Sequence, residues 1–261
     1  MDSHKTEQVG KTASASSRQL CSPIVELWQY TAHPGLRDVL ISLFERAFIE
    51  TQEAMGIMVI GQFRDLEDPN RFVWLRGFPD MDKRLAALQA FYGGPVWQAY
   101  RDVVKSTLAD SDNVLLLRPA WPTSGFFLDP GDRPPSGTKQ VPPGLVEATI
   151  LSFETPPSAD FLNWFEGTLA PVLAKSGASI LASFLTEASA NTFPTLPVRE
   201  GEQLYVWFSG FLDQAAYDQH VAALARSREW HDRIWEPLVR HLKAAPSVLK
   251  LTPTTRSLVH G

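Results

Sequence analysis

The chain repeats itself. Val25-Glu26-Leu27 returns as Val146-Glu147-Ala148, Leu43-Phe44-Glu45 overlies Trp164-Phe165-Glu166, and Gly56 falls on Gly177, all at a shift of 121 residues. Further on the shift is 133: Phe72-Val73-Trp74-Leu75-Arg76-Gly77-Phe78 matches Tyr205-Val206-Trp207-Phe208-Ser209-Gly210-Phe211, and Trp97 falls on Trp230. The second copy thus carries twelve extra residues between Ala188 and Glu200, a Ser-, Thr-, Asn- and Pro-containing stretch that reads as a longer loop. A repeat of this kind restricts the chain to two similar units, each of roughly 100 residues and able to bury a core of its own.

Periodicity gives the order of elements within a copy. Val25 to Tyr30 is rich in strand formers, and after His33-Pro34-Gly35 the apolar positions Leu36, Val39, Leu40, Leu43, Phe44, Ala47 and Phe48 follow helical spacing. Gly56 ends that helix, Ile57 to Arg64 alternates as a strand, Glu67-Asp68-Pro69-Asn70 turns the chain, and Arg71 to Phe78 is a third strand. Asp80 or Asp82 can cap a second helix, broken at Gly93-Gly94-Pro95 and resumed to Leu108, before Val114 to Leu117 closes the unit. This is the βαββαβ order of a ferredoxin-like unit. The expected fold is therefore α+β, with two tandem ferredoxin-like units packed sheet to sheet as an α+β barrel. The first spans 23–120 and the second 145–256, with a linker at 121–144 and short tails at 1–22 and 257–261. Between 119 and 144 lie seven prolines and four glycines, the composition of an irregular connection.

Composition removes several function classes. A net charge of -5, with Lys and Arg scattered, offers no basic face for nucleic acid. No apolar run approaches the ~20 residues of a membrane span. The single cysteine, Cys21, excludes an intrachain disulfide, so a cytoplasmic location is the default, and residues 1–22 read as a disordered tail without a targeting pattern.

Alternation in the third strand separates Val73, Leu75 and Gly77 from Phe72, Trp74, Arg76 and Phe78. Helix-covered faces favour compact aliphatics, so the aromatic set, together with Glu26, Trp28 and Tyr30, is expected on the far face, where the two sheets would meet around a cavity. There the copies differ: Trp28, Tyr30 and Arg76 correspond to Thr149, Leu151 and Ser209, while Glu26 and Trp74 are matched by Glu147 and Trp207. One sheet would then supply polar groups and the other room.

Pro34-Gly35, Gly61-Gln62-Phe63, the block Asp68-Pro69-Asn70-Arg71-Phe72-Val73-Trp74-Leu75-Arg76-Gly77-Phe78, Met81 with Arg84, and Gly94-Pro95-Val96-Trp97 together resemble the NIPSNAP family. The resemblance is strong over Val25 to Ala120 and weak over Val146 to Pro253. It implies a dimeric α+β barrel, a fold shared with small-molecule monooxygenases, polyketide cyclases and other cofactor-free enzymes, and does not imply one reaction. Ser209 in place of Arg76 directs any family site to the first copy.

No metal, nucleotide or triad signature is present, so neither a cofactor nor a metal is expected. The candidate catalytic group is Tyr30, His33 and Arg76. With the first and third strands taken as parallel neighbours, these would share one end of the sheet: Arg76 would hold a carboxylate or enolate, His33 would move a proton and Tyr30 would bond a carbonyl. Trp28, Trp74, Glu26, Phe72, Met58, Glu147 and Trp207 complete the candidate substrate surface, with Glu26 and Glu147 read either as a buried acid pair or as residues of the open barrel rim, where unpaired burial is avoided. The opposing reading makes Arg76 a structural plug, paired with Glu26 or Glu147 and stacked on Trp74. Trp97 and Trp230 are expected in the core, and His220 and His231 in solvent. Two functions follow as expectations. One is a cofactor-free enzyme, monooxygenase-like or cyclase-like, acting on a small hydrophobic or aromatic molecule. The other is a non-catalytic binding or scaffolding protein, with homo-oligomers possible through unpaired strand edges.

Overall fold

The structure, a computed structural model, describes residues 19–20 and 22–261. Eight strands form a closed barrel: β1 Ile24–Ala32, β2 Met58–Asp65, β3 Arg71–Phe78, β4 Leu108–Pro119, β5 Leu145–Phe153, β6 Ser179–Thr186, β7 Gln203–Phe211 and β8 Ser247–Pro253. Their order is β8-β2-β3-β1-β4-β6-β7-β5, returning to β8, with every neighbouring pair antiparallel. Each copy contributes four consecutive strands, the ferredoxin-like arrangement expected from the repeat. The sheets do not simply face each other as a sandwich. They join edge to edge, through Leu117 opposite Thr186 and Leu251 opposite Asp65, which uses up the strand edges expected to serve self-association.

Helices cover the outside. In the first unit α1 runs through Arg37–Leu43, a π-type turn at Phe44–Phe48 and Ile49–Ala54, followed later by α2 Met81–Gly93 and α3 Pro95–Thr107. In the second unit α4 runs through Ala159–Trp164, a second π-type turn at Phe165–Leu169 and Ala170–Lys175; α5 is Gln214–Arg226 and α6 starts at Glu229–Trp235. The π-type turns of α1 and α4 sit at corresponding positions of the repeat, and a third, Glu229–Trp235, opens α6. Asp80 caps α2 by accepting from Lys83 N at 2.6 Å, and Asp213 caps α5 in the same way at 2.8 Å.

Gly56 and Gly177 end α1 and α4 with φ of +82° and +111°. A side chain at Gly56 would meet no atom within 4 Å, so only backbone strain opposes one. Gly56→Ala is therefore expected to lower stability by about 1–2 kcal/mol in urea unfolding, with no change in the cooperativity of the transition.

The face assignment is the reverse of the expectation. Val25, Leu27, Val73, Leu75, Leu115 and Leu117 fill the barrel interior with branched side chains of the second copy, whereas Trp28, Tyr30, Phe72, Trp74 and Phe78 pack under the helices. An eight-stranded barrel is only wide enough for its own interior side chains, so it cannot take opposed tryptophans from both units. The helix layer, standing farther from the sheet, can. The interior is consequently a filled core, and the space between the sheets is not the cavity.

Some expected connections are packed as well. Phe126 of the 121–144 segment enters the interior beside Phe184 and Phe208, at ring separations of 5.5 and 5.1 Å. The last residues, expected as a tail, bury Ser257, Leu258 and Val259, and Ser257 Oγ accepts from Gln62 N at 3.2 Å. Of the expected N-terminal tail, Gln19–Leu20 pairs with Phe127–Leu128 and Ser22 is buried; residues 1–18 and 21 lie outside the described residues. Among the described residues no helix is long and apolar enough to cross a membrane.

Candidate functional site

Charge is concentrated at one place in the outer layer of the first unit. Glu26 on β1 and Arg76 on β3 are cross-strand partners, and both point at the helices. Arg84 reaches them from α2, where Arg84, Ala87, Leu88 and Phe91 follow the i, i+3, i+4, i+7 spacing of a buried stripe. All three charged side chains are 0% exposed. Glu26 Oε2 accepts from Arg76 Nε at 2.6 Å and from Trp28 Nε1 at 2.7 Å, while Oε1 accepts from Arg84 Nε at 2.6 Å.

The remaining donors of the two arginines are divided between partners and none. Arg76 Nη1 donates to Gln52 Oε1 at 3.2 Å and to the Tyr92 hydroxyl at 3.4 Å. Arg84 Nη1 donates to Asn191 Oδ1 and Thr192 Oγ1, both at 3.1 Å. The Nη2 groups of both arginines, and Trp74 Nε1, are buried without a partner among the described residues. Above the Arg76 guanidinium carbon lie the rings of Trp28, Trp74, Phe78 and Tyr92, at 4.9, 5.2, 5.6 and 5.8 Å, an aromatic box suited to a cation.

Asn191 and Thr192 belong to the second unit. They lie in the extra residues of the repeat, a loop that crosses onto the first unit, where Phe193 stacks on Tyr92 at 5.9 Å and Leu196 and Val198 pack on the aromatic layer. Arg199 N donates to Val114 O at 2.9 Å, fixing the loop against β4.

Beside the charged cluster lies a small void between sheet and helices. Tyr30, Phe44, Trp74, Phe91, Tyr92 and Trp97 supply its rings and Gln52 its polar wall. Its space for water centres is about 20 Å³, room for one water molecule. The π-type turn in α1 brings Phe44 and Phe48 to this wall, and the helix break after Gly93 brings Tyr92 and Trp97 edge to face at 4.8 Å.

Electrostatics set the protonation states. Burial alone would raise the Glu26 carboxyl, but the guanidiniums of Arg76 and Arg84 outweigh it and hold the group below the usual carboxylate range. Burial pushes the Tyr30 hydroxyl well above its ordinary value and raises that of Tyr92, so both are hydrogen-bond donors at neutral pH. Glu26 is therefore an ionised, fully engaged acceptor and a poor proton acceptor.

The expected catalytic trio is not assembled. Strands β1 and β3 run antiparallel, so Arg76 lies opposite Glu26 while Tyr30 lies opposite Phe72, two pairs along the row. That is ~13 Å of strand. Tyr30 lines the void and packs edge to face on Trp28 at 5.4 Å, without a hydrogen bond to Arg76 among the described residues. His33 is exposed beyond the strand end, and its backbone N donates to Thr107 O at 2.8 Å. Of the expected substrate surface, Trp28, Trp74, Glu26 and Phe72 meet in this layer, but Met58 packs against the barrel interior.

Glu147 and Trp207 belong to the corresponding layer of the second unit, separated from the first by the barrel wall, so Glu26 and Glu147 form no acid pair. The equivalents of Arg76 and Arg84 there are Ser209 and Tyr217. Burial raises the Glu147 carboxyl, against the lowering effect of the Tyr217 and Thr149 hydroxyls. His220, expected in solvent, is buried with Nδ1 2.9 Å from Ser176 Oγ, and burial lowers its pKa. Among the described residues no group of three or more His, Cys, Asp or Glu could hold a metal ion.

Sequence reasoning passed over Arg84, Gln52, Tyr92, Asn191 and Thr192. For Arg84 a signal existed, because a charged residue on the Leu88 and Phe91 stripe of an amphipathic helix is committed to the core. Gln52 likewise continues the Phe44, Phe48 row of α1. For Asn191 and Thr192 there was none, since loop composition does not say which unit the loop covers.

Residues 25–121 match the family model described as NIPSNAP. Over nearly the whole chain the fold is shared with three solved structures. A presumed monooxygenase from Fusobacterium nucleatum subsp. nucleatum ATCC 25586 is 11% identical over 93% of this chain and 97% of its own, with a TM-score of 0.54. A presumed monooxygenase from Lactobacillus acidophilus NCFM is 14% identical over 92% and 97%, TM-score 0.51. An anthrone oxidase-like protein is 11% identical over 91% and 95%, TM-score 0.53. At these identities the likeness is one of fold. No curated protein matches the chain.

Proposed function

From a first unit that carries the NIPSNAP pattern over residues 25–121, we propose a small-molecule-binding protein that takes one flat, largely apolar molecule between the sheet and helices of that unit. The observation that supports this reading is the void walled by the rings of Trp74, Phe44, Phe91 and Trp97, with Gln52 as its polar wall. Only one water fits in the closed form, so a ligand enters by turning Tyr92 and Trp97 outward at the helix break after Gly93.

Binding rather than catalysis is the better-supported reading, because no proton acceptor faces the void. Glu26 is saturated by two arginines, Tyr30 and Tyr92 hold their protons, and His33 is on the surface. A cofactor-free oxygenation of a self-activating aromatic substrate is the second reading, favoured by the monooxygenase and oxidase names of the three full-length fold neighbours.

The test is thermal unfolding with 2-naphthol, paired with an oxygen electrode. Saturating 2-naphthol is expected to raise the Tm by about 5–10 °C, with no oxygen consumed. Oxygen uptake that requires the protein would replace the binding reading by the oxygenase one. An unchanged Tm with 2-naphthol and with smaller phenols would overturn both.

A further inference from the structure

The cluster behind the void is not electrically balanced. One carboxylate, Glu26, faces two guanidiniums, Arg76 and Arg84, and every other described group that contacts them, Trp28, Gln52, Tyr92, Asn191 and Thr192, is neutral. A whole positive charge is thus left in a region with no exposed surface on any of the three charged side chains. Burying an unpaired charge is among the most expensive things a fold can do. Here the excess is accompanied by two donors with no partner among the described residues, Arg76 Nη2 and Arg84 Nη2. Both observations point to the same missing group.

We infer that the first unit contains a built site for one anionic oxygen group, with Arg76 as its principal holder and Arg84 as the second, and that its ligand is an aromatic carboxylate. This inference rests on the proposed binding role and names the chemistry of the ligand. The void and the cluster share two residues: Gln52 and Tyr92 line the void and also occupy Arg76 Nη1, at 3.2 and 3.4 Å. These are the two longest bonds in the cluster, and both partners are neutral. A carboxylate entering through the void displaces them and takes Arg76 Nη1 and Nη2 together as a fork, which a neutral amide cannot do. Its ring remains among Trp74, Phe44 and Phe91. Glu26 keeps both Nε donors throughout, so it fixes the arginines rather than competing for the ligand.

The second unit supports the assignment by contrast. It keeps the glutamate, as Glu147, but replaces both arginines by Ser209 and Tyr217, and Trp28 by Thr149. Two arginines are not needed to hold this fold together, since the second copy folds the same way without them. Their presence in the first unit alone marks a task beyond packing.

Isothermal titration of the full chain with 2-naphthoate, 2-naphthamide and acetate at constant ionic strength tests the inference. The expected result is 2-naphthoate binding about tenfold or more tighter than 2-naphthamide, with weaker binding of acetate at the same site by competition. Equal binding of the acid and the amide overturns the anion site and leaves the aromatic chamber standing. Binding of neither compound overturns both. Arg84→Lys keeps the charge and removes Nη2; it is expected to lower the ratio of 2-naphthoate to 2-naphthamide affinity. An unchanged ratio in that variant removes Arg84 from the site. The wild-type comparison of acid and amide stands whether or not the variant folds.

Discussion

Glu26→Gln is expected to lower the free energy of unfolding by about 3–5 kcal/mol, the largest loss for any single polar substitution in this chain. Among the described residues the carboxylate is the only anion in contact with Arg76 and Arg84, and it accepts from both Nε donors at 2.6 Å. An amide of the same shape can accept at one position but presents its own N–H groups at the other, so one guanidinium loses its partner inside the fold. Glu147→Gln is the matched control: its carboxyl is raised by burial, no guanidinium among the described residues contacts it, and the change should be close to neutral. The two glutamates also predict opposite pH effects. Glu26 has a lowered folded-state pKa, so its contribution is complete above the unfolded carboxylate value and lost as pH falls through the folded value. Glu147 is raised, so its contribution is complete below the unfolded value and lost as pH rises through the folded one. Urea unfolding from acid to neutral pH checks this: the acid limb of the stability curve should flatten in Glu26→Gln. A midpoint within the error of wild type at neutral pH would show that the cluster is not the electrostatic keystone of the first unit.

The architecture was legible because the repeat is. Val25 to Phe78 and Val146 to Phe211 state the same order of elements twice, and hydrophobic alternation then divides each strand into two faces. What alternation cannot say is which face a barrel turns inward. Both sets, Val73 with Leu75 and Phe72 with Trp74, are apolar enough to be buried, and both are buried. The outcome is set by the width of an eight-stranded interior, a property of the closed assembly and not of any strand. From that inversion the misplaced cavity follows directly. The site residues divide in the same way. Glu26, Trp28, Trp74 and Arg76 share one face of adjacent strands and were legible as a group, and the structural-plug reading anticipated the pairing of Arg76 with Glu26 and its contact with Trp74. The trio with Tyr30 and His33 failed on strand direction. Two strands that flank a crossover helix are parallel, but the third strand, joined to the second by a tight turn, runs back and meets the first antiparallel.

Replacing residues 189–199 by a short Gly-Ser turn is expected to cost about 2–4 kcal/mol, and to cost it in the first unit although the change is made in the second. The loop supplies both partners of Arg84 Nη1, the Phe193 ring stacked on Tyr92, and the apolar contacts of Leu196 and Val198. Hydrogen exchange should accelerate in α2 and α3 and remain unchanged in α4 and α5. Unaltered stability and unaltered exchange in α2 would mean that the loop rests on the first unit without holding it. The asymmetry of the repeat has a physical reason in this picture. The first copy joins β2 to β3 by a tight turn at residues 66–70, and the corresponding layer of the second copy has Ser209 and Tyr217 in place of the two arginines. The second copy carries the longer loop, and that loop covers the two arginines of the first. Two units that diverged from one pattern have thereby become interdependent: one holds the charged cluster, and the other supplies the residues that keep water away from it.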